Sequence, residues 1–211
     1  MKKFLKITLG IFGVILLGIA LLVFDFLSDM KPDKEREEEV KVQAEQYLRD
    51  NFEGGHFEIY DIWYDNMDVN NLFEYAAKVR SEDTIEFLVY FNNERNKMED
   101  SYVAEKWAKN LYDNLHPYLE KNIGDMEELF VLFDDDVGSI YNLDYKNPGE
   151  FRDYEAPATI HITLSRNLKD SDEKFLDGVT IYLQNELQVR HAIVQLNSSK
   201  NYQLNPLISQ F

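Results

Sequence analysis

Residues 7–27 read ITLGIFGVILLGIALLVFDFL and carry no charge before Asp25. As a helix this run is about 31 Å long, close to the hydrocarbon thickness of a bilayer, about 30 Å. In hydrocarbon a single segment can satisfy its own backbone groups only as a helix. The run therefore predicts a membrane anchor, with the rest of the chain on one side of it. Lys2, Lys3 and Lys6 precede it and belong in the cytoplasm by the positive-inside rule, which puts residues from about 28 onward outside. A cleaved signal peptide is the competing reading, with Gly18-Ile-Ala20 as a small-x-small site. Against it, Leu21, Leu22, Val23 and Phe24 continue the apolar run where a polar segment is expected. No cysteine follows to carry a lipid.

Beyond the anchor the chain is acidic. Without Lys2, Lys3, Lys6 and Asp25 it holds 19 basic and 38 acidic residues, a net of −19. Such a surface repels nucleic acid and anionic polymers, and a partner selected by charge is basic. Hydrophobic residues make up 45% of the sequence, enough for a packed core. The absence of cysteine excludes disulfides, thiolate metal sites and cysteine nucleophiles.

Hydrophobic periodicity divides the remainder into two small α+β units. Residues 1–27 are the cytoplasmic tip and transmembrane anchor, and residues 28–36 a charged linker with Pro32. Residues 37–123 form a first domain and residues 124–211 a second. In the first, Val40, Ala44, Tyr47 and Leu48 mark one face of a helix over 33–51, stopped by Gly54-Gly55. Period-2 segments at 56–64, 72–80 and 85–91 predict an antiparallel meander. Residues 92–100 read as a polar loop. Val103, Trp107, Leu111, Leu115 and Leu119 step by four along a helix over 101–121, expected to cover the same sheet. The order is α-β-β-β-α.

The second domain reads β-β-α-β. Its strands fall at 129–133, 159–165 and 189–196, with a further short strand expected near Ile140-Tyr141. A helix follows Asp170, with Phe175, Leu176, Val179, Leu183 and Leu187 as its stripe. Residues from 197 form a polar tail up to Pro206.

The Lys-rich start with its GIFGVILLGIA run, Glu45-Gln-Tyr-Leu48, Tyr75-Ala-Ala-Lys-Val79 and Tyr102-Val-Ala-Glu-Lys-Trp107 together resemble the YfjL-like proteins of Gram-positive bacilli. The resemblance spans most of the chain. It implies an anchored, two-domain envelope protein, with no assigned activity and no functional residues to transfer.

Motifs for chemistry are weak. His56, His116, His161 and His191 have no metal-ligand spacing, although His161 and His191 are expected on neighbouring strands. Asp144 to Glu155 has the ends of a calcium loop, but Lys146 and Pro148 stand where oxygen ligands belong. Asp134-Asp135-Asp136 reads as a solvated strand end. Ser171 to Lys174 has an SxxK form without its partner motifs, and reads as a helix cap. Tyr60, Trp63, Tyr64, Tyr75 and Tyr90 are more simply core than groove. No catalytic, cofactor-binding or metal residue is assigned. The expectation is a non-enzymatic, single-pass extracytoplasmic protein that binds, senses or joins an envelope complex. It touches the membrane through residues 7–27 and takes a basic protein partner. The alternative is an extracytoplasmic hydrolase with a carboxylate pair.

Overall fold

The computed structural model describes residues 16–24, 31–66, 72–200 and 206–211. The described part of α1, residues 16–24, is helical and exposed throughout. Most of the expected anchor, residues 7–15 and 25–27, lies outside the described residues. Among the described residues no helix is long and apolar enough to cross a membrane. The rest of the described residues form an α+β arrangement with two four-stranded sheets.

α2 (Lys34–Asn51) is capped by Asp33, whose carboxylate accepts from the Glu35 amide at 2.9 Å. Val40, Ala44 and Leu48 are its buried stripe. Beyond Phe52 the chain reverses at Gly54, whose φ of +86° favours a residue without Cβ. β1 (Phe57–Tyr64), β2 (Tyr75–Ser81), β3 (Glu86–Asn92) and β4 (Lys97–Asp100) then form an antiparallel meander in chain order. Ala77, Val79, Phe87 and Val89 pack with Ala44 and Leu48 of α2. On the face away from α2, Phe73, Ala76 and Tyr90 form a smaller cluster.

β4 corrects the reading of 92–100 as loop. The Asn92 side chain accepts from the Glu94 and Arg95 amides, both at 3.0 Å, and Asn96 takes a positive φ of 53°. Together these turn the chain tightly enough for Lys97 to Asp100 to pair with β3.

α3 (Tyr102–Asn122) forms where expected, but its stripe packs elsewhere. Trp107, Leu111, Leu115 and Leu119 share a core with Leu129, Val131, Ile160 and Leu196 of the second sheet. Only Tyr102 of this helix joins the core under α2. The helix that precedes the expected break at 123/124 is thus a layer over the sheet that follows it.

The second sheet orders β5 (Met126–Leu132), β6 (Ala158–Leu164), β7 (Ala192–Ser198) and β8 (Leu207–Gln210). β5 and β8 are antiparallel to their neighbours. β6 and β7 are parallel, joined by α5 (Ser171–Asn185) as a crossover. α5 lies beside α3, with Tyr118 and Tyr182 stacked 3.9 Å apart at 6°. Residues 137–141, expected to include a strand at Ile140-Tyr141, are instead the short helix α4 (Val137–Tyr141), closed by Asn142 in the left-handed region. After Pro206, where the polar tail ends, the chain adds β8, whose Ile208 is 61% exposed on the sheet's uncovered face.

Polar contacts tie the halves together. Glu99 on β4 is 3% exposed, and its carboxylate accepts from Asn92 (2.6 Å), Ser139 (2.5 Å) and Arg95 (3.1 Å). Arg95 also reaches Asp136 at 2.8 Å. Burial opposes ionisation of Glu99, but the donors from Ser139, Lys97, Asn92 and Arg95 outweigh it and hold its pKa below the usual carboxylate range.

Candidate functional site

A cleft of about 480 Å³ opens between the two sheets, floored by α3. Its first wall is Thr84, Ile85 and Glu86, where β3 begins. Its second is Leu129, Phe130 and Val131 on β5. From the floor rise Glu105, Ala108, Lys109 and Tyr112 at helical spacing, so all face one way. A second hollow of about 390 Å³ shares Tyr112 and Leu129 and extends the groove past His116 to Met126.

Glu105 dominates the cleft. It is half-buried, and among the described residues its carboxylate has no hydrogen bond or ion pair. Burial, then the charges of Asp135 and Glu86, push its pKa up to about 7. Glu86, on the same cleft, is pushed the other way. Its carboxylate accepts from Arg80 at 2.6 Å and from the Tyr60 hydroxyl at 3.1 Å, and these hydrogen bonds hold its pKa low. Nearby, Tyr90 is fully buried and its hydroxyl finds no partner among the described residues. Burial first, then the charges of Asp135, Glu99 and Asp136, push its pKa upward.

A third hollow, of about 230 Å³, lies beside β4 and includes Tyr47 and Asp100. Burial raises the Asp100 pKa, but both oxygens are engaged, by the Tyr47 hydroxyl at 2.7 Å and the Tyr102 amide at 2.9 Å. Asp100 thus fixes the start of α3 and leaves little for a ligand.

The residues singled out by sequence do not converge. His56 lies 4.0 Å from Glu82, His116 stacks on Tyr112, and His191 meets Glu155 at 2.7 Å. His161 sits opposite Gln195 on β7, not opposite His191. Among the described residues no group of three or more His, Cys, Asp or Glu is placed to hold a metal. Asp136 is committed to Arg95. The carbonyls of Pro148 and Gly149, within the rejected calcium loop, accept from the Trp107 indole. Ser171 opens α5, while Asp172 is held by Arg166 (2.7 Å) and by the Lys169 amide (2.8 Å). Asp170 stands at the cap position but its side chain makes no cap bond.

The aromatic set divides between the two faces of the first sheet. Tyr64 stacks on Tyr75 at 4.7 Å, and the Tyr75 hydroxyl accepts from the Asp33 amide at the start of α2. Trp63 instead packs on Phe73, and Phe73 on Tyr90, away from α2. Sequence patterning does not single out Glu105. Its one local signal is small Ala108 one turn on, which leaves room above the helix.

The chain matches no protein-family model and no curated protein. Among solved structures it is similar to a DUF5037 family protein from Ruminococcus gnavus, with 13% identity and a TM-score of 0.34. The match covers 77% of this chain and 76% of that one.

Proposed function

We propose that the chain is a single-pass, membrane-anchored extracytoplasmic binding module, in which the cleft over α3 receives a basic partner. The apolar run 7–27 and the lysines before it support the anchor and its orientation. The resemblance to YfjL-like envelope proteins accords with that placement. The observation that carries the binding reading is Glu105, a half-buried carboxylate that lines an open cleft and has no partner among the described residues. An uncompensated buried charge is costly, and a cation from outside supplies what the fold leaves out. A photo-reactive residue in place of Tyr112 should give an adduct in intact membranes, and one in place of Ile181 on α5 should give none. Protease added outside spheroplasts should remove both chain and adduct. Equal labelling from the two positions, or full protection from protease, overturns the reading.

A second reading is an extracytoplasmic hydrolase. It is favoured by the opposed shifts of Glu105 and Glu86 on one cleft, the pattern of an acid and its ionised counterpart. That reading predicts that Glu105→Gln and Glu86→Gln each abolish turnover of an envelope glycan fragment by at least about 100-fold. Measured turnover unchanged by either substitution excludes it.

A further inference from the structure

Among the described residues each sheet has two free edges, and they differ in what they offer. β4 and β8 have only four residues each. β1 is longer, but a register break at Tyr60 interrupts it in mid-strand. Short and bulged edges are the usual guards against strand addition. β5 breaks register only at its start, between Met126 and Glu128, and then pairs regularly with β6 from Glu128 to Leu132. In an antiparallel pair, alternate residues turn their backbone N–H and C=O away from the partner strand. Over those five residues, which carry a charge only at Glu128, the outer edge of β5 is therefore a hydrogen-bonding template left uncovered by the other described strands, running along the groove floored by α3.

We propose that an extended peptide alternating basic and apolar residues adds to the free edge of β5 as a fifth strand, lying beside α3. This rests on the reading of the cleft as a binding site. The alternation follows from the two sides of the edge. Leu129 and Val131 point toward the core, and on that side a new strand meets Glu105 and Tyr112. Farther along, Glu127 lines the groove, beside Glu120, which lies 3.6 Å from His116. Lys109 is already bound to Asp113 at 2.8 Å, so the unmatched charge is negative. Basic side chains fit this side. On the other side Phe130 and Leu132 are about half exposed, at 50% and 49%. Apolar side chains extend that surface, as cross-strand neighbours do. Main-chain bonds supply affinity and alternate side chains supply selectivity, as in other strand additions.

The test uses the full chain in nanodiscs and a blocked peptide, acetyl-Lys-Val-Lys-Val-Lys-Val-Lys-amide. Two further peptides carry N-methyl groups, one on every valine and one on the interior lysines. The parent peptide should bind, with amide shifts concentrated at residues 128–132. One N-methylated peptide should lose at least about tenfold, the one whose amides face β5. Raising ionic strength from about 0.01 M to about 0.15 M shortens the Debye length from about 30 Å to about 8 Å and should weaken the parent. Glu105→Gln should weaken it severalfold. Equal binding by all three peptides overturns strand addition, as does a shift pattern that spares β5. If the Tyr112 position still gives an adduct in membranes while no peptide binds, this inference falls alone. If both fail, the binding reading falls with it.

Discussion

Trp107→Ala should destabilise the chain by about 3 to 5 kcal/mol, the range for removing a buried aromatic side chain. Trp107 is 1% exposed and is the largest fully buried side chain among the described residues. Its ring stacks on Tyr154 at 5.3 Å and meets Phe133 edge-on at 5.6 Å. The indole N–H donates to the Pro148 carbonyl at 3.0 Å, so one residue of α3 also fastens the loop between α4 and β6. Substitution opens a cavity and leaves that carbonyl unpaired. Trp107→Phe keeps the ring contacts and loses the donor, so it should cost about 1 to 2 kcal/mol. Equilibrium urea unfolding of both variants separates the two contributions. A change below about 0.5 kcal/mol for Trp107→Ala would place the indole at the surface.

The fate of that same tryptophan marks where sequence patterning stops. The stripe Val103, Trp107, Leu111, Leu115 and Leu119 identifies a helix and its apolar face. It says nothing of which of two adjacent sheets the face covers, because leucines fit either. That choice is made by non-local terms: the turn of the chain after Asn122 and the row Leu129, Ile160, Leu196 that receives the stripe. β1, β2, β3 and β6 were legible because their alternation is written in apolar residues. β4 was not, because Lys97, Glu99 and Asp100 are charged. The strand is held by an asparagine turn and by the carboxylate of Glu99 buried against Ser139, some 40 residues away.

Orientation within a sheet was equally hidden. Trp63 and Tyr64 are neighbours in sequence and therefore point to opposite faces, so a cluster of nearby aromatics does not make a groove. Glu105 shows the same limit for the site. An acid in the first turn of a helix is ordinary in sequence, where it favours the helix dipole. Only the approach of β5 and of the Asp135 loop makes it a buried group.

Glu105 should also make stability depend on pH between the usual carboxylate value of 4.5 and about 7. A carboxyl with a raised pKa keeps its proton longer when folded than when unfolded. In that window the folded state binds more protons, so stability falls as pH rises. Below 4.5 both states are protonated and the penalty vanishes. Above about 7 both are ionised and the penalty is complete. At about 1.4 kcal/mol per pKa unit the full shift corresponds to about 3 to 4 kcal/mol, and partial exposure of the group reduces this to about 1 to 2 kcal/mol. The groups around it explain the sign. Asp135 and Glu86 repel the charge, and Lys109 on the same cleft is held by Asp113. Asp100, also raised by burial, adds to the trend. Glu99 and Asp172, held low by their donors, act in the opposite sense, and their contribution is lost only as pH falls below the usual carboxylate range. Stability should therefore peak in mildly acid solution. Glu105→Gln should raise the urea midpoint at pH 8 and flatten the profile between pH 5 and pH 7, with little effect at pH 4.5. If the wild-type chain is as stable at pH 8 as at pH 5.5 and the substitution changes neither, Glu105 is a solvated carboxylate.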